Sequence, residues 1–354
     1  MFIINNLTNF LSKIKENILT PFEIYFDFGT AITKVAIKDK GIILREPTLL
    51  AYNTRISDYI FYGDAAKKII GKTPDFIKII KPIQNGVICD FDAQVALTKK
   101  YLDKSAYLYL HKQLIKPLMI AISTVPTIAT EIEQKAVQEA LSKAGLSSIF
   151  LIEKSLATAS GCGINVFHHQ PNLIIDLGAG LIEISIIGSG GIIAQKTLKN
   201  AGDYMNKLIY NYIYLKYGVI LGEVTCEQLK TNLLNFKDEE KITSIRGKSL
   251  ETGLPKTVRI KTSDIKEALI GNFNQIIDTI KELIESSPPE IVDEITEKGI
   301  YLTGGLSRIP GIDEFFSKEL KSNIIIENNF EYATINGIIK LAQNKDLLSK
   351  IIIR

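Results

Sequence analysis

The chain has 354 residues, 46% of them hydrophobic, enough for one large or two medium domains with buried cores. Its 42 basic and 39 acidic residues leave a net charge of +3 with no basic stripe, so no nucleic-acid partner is expected. Three separated cysteines (Cys89, Cys162, Cys226) and three histidines (His111, His168, His169) give no disulfide framework and no zinc-ligand spacing, which fits a reducing cytoplasm.

Residues 2–19 read as an amphipathic helix. Ile3, Leu7, Phe10, Leu11, Ile14 and Ile18 recur at spacings of three and four, Ile4 joins their face, and Lys13 and Lys15 flank it. Pro21 ends the helix. Such a helix can lie in a membrane interface or pack on its own domain. No run reaches the roughly 18 apolar residues needed to span a bilayer, and no small-residue cleavage site follows an apolar core.

A β-meander is expected from 22 to about 50, then a short helix from Asp64 to Ile70. Residues 92–116 read as helical and Pro117–Ile122 as a buried strand. A helix from Thr130 to Ala144 is stopped by Gly145. A strand follows at Ile149–Glu153, then a helix from Leu156. After Pro171 the order repeats: strand, turn, strand, helices. Gly202-Asp203 opens a helix to Tyr217. A helix over Thr225–Asn235, a hairpin around Gly253 and a helix over 263–285 come next. Ser286-Ser287-Pro288-Pro289 breaks the chain, and Glu290–Glu297 and Ile312–Leu320 complete the pattern. Gly71-Lys72-Thr73 imitates the end of a phosphate-binding P-loop, but Ala66 stands where that motif needs glycine.

Three glycine elements carry the chemistry. Asp27-Phe28-Gly29-Thr30-Ala31-Ile32-Thr33-Lys34 follows an apolar run, and Asp176-Leu177-Gly178-Ala179-Gly180 follows another. Each reads as strand, tight turn, strand. Glycine lets a backbone approach phosphates, and exposed turn amides form an anion-binding concavity. The aspartates suit magnesium or its waters, because magnesium takes carboxylate, water and phosphate oxygen. Gly29, Thr30, Ala31, Gly178, Ala179 and Gly180 are therefore the candidate phosphate contacts. Thr33 continues the strand, and Lys34 is left open between a phosphate contact and a solvent-facing position. Ile300-Tyr301-Leu302-Thr303-Gly304-Gly305-Leu306 is a third strand meeting a glycine turn, able to pack on a base and ribose.

Phosphate, phosphate, adenosine in that order resembles the actin-like ATPase superfamily. Within it the chain resembles the MreB family over residues 22–345. The stretches Gly41–Pro47, Gly71–Pro74, Ile80–Phe91, Ala201-Gly202-Asp203, Thr252-Gly253-Leu254-Pro255 and Glu297-Lys298-Gly299-Ile300 carry the likeness. The resemblance implies an α/β, actin-like ATPase fold: two duplicated RNase H-like halves, each with a small inserted subdomain. The expected division is 21–50 with 91–160, insert 51–90, then 161–205 with 263–354, insert 206–262. The resemblance also implies ATP/ADP and Mg2+ as ligands, and a ribose and base contact by Glu227 and Lys230. It implies self-assembly into filaments that pair in antiparallel fashion, paralogous MreB proteins as partners, and a peripheral place on the inner face of the cell membrane. The membrane contact would use the 2–19 helix and the Tyr107-Leu108-Tyr109-Leu110 segment, with Leu108 and Leu110 as its apolar residues.

The departures bear on catalysis. Lys154-Ser155 stands where most of the family has Glu-Pro, whose glutamate positions the attacking water. Leu181 and Ile182 replace two threonines of the second phosphate turn, and Ile32 replaces an asparagine. Nucleotide binding through backbone amides survives these changes, whereas hydrolysis is expected to be slow, with Glu153 as a substitute carboxylate. Two rival readings are a nucleotide-sensing adaptor that does not polymerise and a sugar kinase or chaperone of the same superfamily.

Overall fold

The computed structural model describes residues 21–110 and 117–353. The expected amphipathic helix (Ile3, Leu7, Phe10, Leu11, Ile14, Ile18) lies outside the described residues. The chain divides into two compact units. Unit 1 holds Met1–Lys68, Pro74–Lys154 and Ile338–Arg354; unit 2 holds Ile69–Thr73 and Ser155–Gly337.

In chain order, unit 1 has strands β1 (Phe22–Phe28), β2 (Ile32–Ile37), β3 (Gly41–Pro47), β4 (Leu50–Asn53) and β5 (Asp58–Tyr62). A short helix α1 (Asp64–Lys67) precedes β6 (Ile77–Ile80), β7 (Ile83–Gln84) and β8 (Val87–Ile88). Helices α2 (Phe91–Lys104) and α3 (Ala106–Leu110), strand β9 (Met119–Val125), helix α4 (Glu131–Lys143) and strand β10 (Ser148–Glu153) complete this stretch. The main sheet runs β10-β9-β1-β2-β3. β1 is parallel to β9 and antiparallel to β2. Central β1 is buried along nearly its whole length, the pattern of a strand covered on both faces. The small sheet β5-β4-β6 is the expected insert. The predicted helix over 92–116 breaks at Ser105, whose hydroxyl bonds back to the Tyr101 carbonyl. The α4 start follows the sequence closely: Thr130 accepts the Glu133 amide at 3.3 Å while the Glu133 carboxylate accepts the Thr130 amide at 2.8 Å.

Unit 2 is entered along α5 (Lys154–Gly161). It holds β11 (Asn172–Leu177), β12 (Ile182–Gly188), β13 (Gly191–Leu198), α6 (Gly202–Tyr217), β14 (Val219–Ile220), α7 (Glu223–Leu233), β15 (Ile242–Ser249), β16 (Pro255–Lys261) and α8 (Thr262–Glu285). Helix α9 (Pro289–Lys298), β17 (Ile300–Thr303), α10 (Ile312–Leu320), β18 (Ile324–Ile325) and α11 (Ala333–Ala342) follow, and α12 (Lys345–Ile351) returns to unit 1. Its main sheet runs β13-β12-β11-β17-β18. β11 is antiparallel to β12 and parallel to β17, so the order and sense of unit 1 recur. The duplication that is faint in residues is plain in topology. A second small sheet, β14-β15-β16, is the other insert.

The expected boundaries need correction at two points. Unit 2 begins at Ser155 rather than 161, and Ile338–Arg354 belongs to unit 1, not to the second half. The cause is pairing: Ile352 bridges Ile152 of β10, and the Ile353 amide donates to the Leu151 carbonyl at 2.9 Å.

Within unit 2, α5 and the first part of α11 touch backbone to backbone. A Cβ on Gly337 would lie 1.6 Å from the Ala157 carbonyl oxygen, and one on Gly161 would lie 1.8 Å from that of Ala333. Thr158 and Thr334 share a hydroxyl hydrogen bond of 2.9 Å in the same seam. Gly337→Ala should therefore destabilise by about 1–3 kcal/mol through overpacking. Gly271→Ala, mid-α8 with nothing within 4 Å, should stabilise by about 0.5–1 kcal/mol. Urea midpoints of the two variants check this; equal midpoints would contradict the seam.

Candidate functional site

The first turn closes between β1 and β2, with Asp27 opposite Lys34 and Phe28 opposite Thr33. The Gly29 amide donates to the Ile32 carbonyl at 3.1 Å. A side chain at 29 would sit 2.5 Å from that same oxygen, so only glycine fits. Thr48 straps the turn: its hydroxyl donates to the Gly29 carbonyl at 2.7 Å and its amide to the Ala31 carbonyl at 2.9 Å. The Gly86 amide donates to the Thr30 hydroxyl at 3.1 Å. Thr33 is buried and shares a 2.8 Å hydroxyl bond with Thr48, so it continues the strand as expected. Asp27 is 3% exposed and pairs with the Lys34 ammonium at 2.7 Å. The solvent-facing option for Lys34 does not hold; it is the half-buried counter-ion of Asp27.

The second turn repeats this geometry. The Gly178 amide donates to the Leu181 carbonyl at 3.0 Å, and a Cβ there would meet that oxygen at 2.6 Å. The glycine amides at 29 and 178 are thus used inside their own hairpins. The expectation that they face phosphate is corrected: among these residues the role is left to Thr30, Ala31, Ala179 and Gly180. Asp176 is 8% exposed and stands opposite Glu183, itself 3% exposed. Where unit 1 pairs its aspartate with a cation, unit 2 sets two carboxylates across the same ladder position. The Thr303 hydroxyl lies 3.5 Å from Asp176 Oδ1. Asp176 with Glu183 fits magnesium, which needs only one or two protein carboxylates beside water and phosphate oxygens. Asp27 has one of its oxygens on the Lys34 ammonium. Among the described residues no cluster of three or more His, Cys, Asp or Glu side chains forms a metal cage.

The second turn is joined to α6 and α7. The Gly202 and Asp203 amides donate to the Gly178 and Ala179 carbonyls at 3.2 and 2.8 Å, which docks the α6 N-terminus on the turn. Lys230 reaches back from α7, donating to the Gly202 carbonyl at 2.8 Å and the Glu227 carboxylate at 2.7 Å. The Asn206 amide donates to the same Glu227 oxygen at 2.7 Å. Lys230 is 4% exposed and acts as a strut; Glu227 keeps a half-exposed carboxylate. Two of the three Lys230 donors are thus used within the protein.

Gly304 has φ +87, and its backbone closes on the same carboxylate: a Cβ there would meet Asp176 Oδ1 at 2.4 Å. Gly305 has open space around it, while Leu306 is buried in the unit 2 core and is withdrawn from the contact set. Glu153 ends β10 and Lys154 opens α5, both half-buried. Ser155 accepts a 2.9 Å hydrogen bond from Ser185, two residues beyond Glu183 on the same face of β12. Leu181 is buried. Burial first, then the Asp176 and Glu327 carboxylates, push the Cys162 thiol up to about 12, which keeps it neutral and unreactive at ordinary pH. In the aromatic segment Leu108 is exposed, but Leu110 is buried and cannot serve as a surface contact.

Four residues around the two turns escaped the sequence reading. In unit 2, Glu183 was legible in principle, by counting the hairpin register back from the turn. Thr48 in unit 1, and Asn206 and Thr303 in unit 2, come to their own turns from distant elements and leave no local signal.

The sequence model of the family described as MreB/Mbl protein matches residues 22–350. The chain is 33% identical over 331 residues to the cell shape-determining protein Mbl of Bacillus subtilis, covering 93% of this chain and 98% of that one. It is similar to MreB5 of Spiroplasma citri bound to AMPPNP, with TM-score 0.87, 30% identity and coverage of 94% and 98% of the two chains. The same protein bound to ADP gives TM-score 0.86 at 30% identity, covering 92% and 97%. The MamK double helical filament shares the fold at TM-score 0.75, with 18% identity and coverage of 92% and 99%.

Proposed function

The chain belongs to the MreB/Mbl family and has its actin-like fold, and we propose that it is an ATP-binding cytoskeletal protein that polymerises into membrane-associated filaments serving cell shape or motility. The observation that carries this reading is the repeated hairpin: a buried aspartate, then a glycine turn with its own amide satisfied and the next two residues available. Amides of Thr30, Ala31, Ala179 and Gly180 would take the phosphates, Asp27 and Asp176 would hold the magnesium through its waters, with Glu183 across the ladder from Asp176, and Glu227, Lys230, Gly304 and Gly305 would meet the nucleoside. The printed ligands of the S. citri relative, ADP and AMPPNP, are in keeping with this. Asp176→Ala should weaken Mg-ATP binding by at least about tenfold, or 1.4 kcal/mol, in a titration. Unchanged affinity would remove the assignment.

Hydrolysis should be slow. A residue that positions or deprotonates water supplies about 10²–10⁴-fold, and Lys154 cannot do so while charged. Leu181 offers no hydroxyl. Lys154→Glu together with Leu181→Thr should raise phosphate release more than the sum of the single changes, because both act on one water. Should the unaltered protein already release phosphate as fast as relatives with the usual glutamate and threonine, Glu153 or Glu183 does this work instead.

Membrane attachment is assigned to Ile3, Leu7, Phe10, Leu11, Ile14 and Ile18, with Leu108 as a second contact. Among the described residues no helix is long and apolar enough to cross a membrane. Deleting residues 2–19 should abolish co-sedimentation with anionic liposomes at low salt. Full-length protein that stays in the supernatant would end the attachment claim.

A further inference from the structure

The candidate phosphate donors of the second turn are two backbone amides, and the peptide planes that carry them set their aim. A peptide bond is planar and trans, so the carbonyl of one residue and the amide of the next point in opposite directions. The Gly178 carbonyl shares its plane with the Ala179 amide, and the Ala179 carbonyl shares its plane with the Gly180 amide. Both carbonyls are held. Gly202 and Asp203, the first residues of α6, donate to them at 3.2 and 2.8 Å. The Ala179 and Gly180 amides therefore point away from α6, with the positive end of that helix behind them. The seat is close: a Cβ on Gly202 would lie 3.3 Å from the Ala179 Cα.

The start of α6 is itself clamped from two helices. Lys230 of α7 donates to the Gly202 carbonyl at 2.8 Å. From α8, the Asn272 side-chain amide donates to the carbonyl of Asn200, two residues before Gly202, at 3.0 Å. The Asn200 side chain donates in turn to Gln275 Oε1 at 3.0 Å. Asn272 and Gln275 are three apart on one face of α8, so this helix holds Asn200 by both backbone and side chain.

Asn272 is 6% exposed, and its helix neighbours Leu269, Phe273 and Ile276 are fully buried core. Its carbonyl partner accepts only from the NH2 side, which fixes the orientation of the amide. The other side of each amide is idle: Asn272 Oδ1 and Asn200 Oδ1 are buried with no hydrogen-bond partner among the described residues. A buried carbonyl left unpaired costs stability, which an apolar side chain at 272 would avoid. We propose that Asn272 is a positioning residue for nucleotide binding: by clamping Asn200 it fixes the start of α6, and through it the aim of the Ala179 and Gly180 amides. It acts through the backbone rather than by contact with the ligand. This assignment rests on the nucleotide-binding reading above and adds the helix that keeps the second turn in shape.

Calorimetric titration of the full-length protein with Mg-ATP tests it. Asn272→Leu keeps the volume and removes the donor, and it should weaken binding at least about threefold, the share of one hydrogen bond. Its thermal midpoint should stay at or above that of the unaltered protein, because the unpaired carbonyl leaves with the amide. Hydrogen exchange of the 176–183 and 199–206 peptides should quicken in the nucleotide-free variant. Asn272→Asp has the same shape but cannot donate while ionised. Its deficit relative to the unaltered protein should shrink as the pH falls from about 8 to about 5.5, since a protonated carboxyl can donate to the Asn200 carbonyl. A residue that only filled the core would give no such profile. If Asn272→Leu binds Mg-ATP as tightly as the unaltered protein, or the Asn272→Asp deficit is absent or does not change with pH, the clamp is not a positioning device. Should Asp176→Ala lose affinity while Asn272→Leu keeps it, the clamp falls and the nucleotide reading stands. If the unaltered protein binds no Mg-ATP, both fall together.

Discussion

Each main sheet is organised around a turn that admits no Cβ. At Gly29 and again at Gly178 the backbone bends so tightly that the carbonyl three residues on accepts the glycine amide and fills the space a side chain would need. That single steric constraint fixes the register of the hairpin, and the register places Asp27 and Asp176 in the same buried position of two separate sheets. It also decides which amides remain for an anion. The elements that strap the turns, Thr48 in one unit and the α6 N-terminus in the other, hold a geometry the glycines have already selected.

The two copies have diverged in charge rather than in shape. Across the ladder from the aspartate stands Lys34 in unit 1 and Glu183 in unit 2. One aspartate is neutralised within its own hairpin. The other stands across the ladder from a second carboxylate. The same economy appears at Lys230, a buried cation whose ammonium is divided between a carbonyl and Glu227 and so stiffens the link from turn to helix. Charge in this chain thus does two separate things: it locks a turn and it stiffens the link from the second turn to its helices.

Much of this was legible in the residues because it is local. Apolar runs ending in Asp-x-Gly announce strand and turn, Thr130 with Glu133 announces a helix start, and the Ser286–Pro289 break announces a helix end. These signals depend on φ, ψ and hydrogen bonds within a few residues, and the observed α4, α6 and α10 follow them closely. The misplaced features are those decided at long range. Residues 338–354 were assigned to the wrong half because nothing in them reveals that Ile352 will bridge Ile152. Leu306 and Leu110 read as contacts and proved to be core or buried, since burial depends on what packs above a residue.

The sequence by itself determined the family, the order of elements and the positions of both acidic turns, because glycine, proline and apolar periodicity act on the backbone directly. Only the tertiary structure decided what each polar side chain faces. Lys34 found Asp27 across a ladder, Lys230 found a carbonyl 28 residues away, and Asn272 found another 72 residues away. Partnership of this kind follows from strand register and helix length, which bring together residues that no spacing along the chain connects.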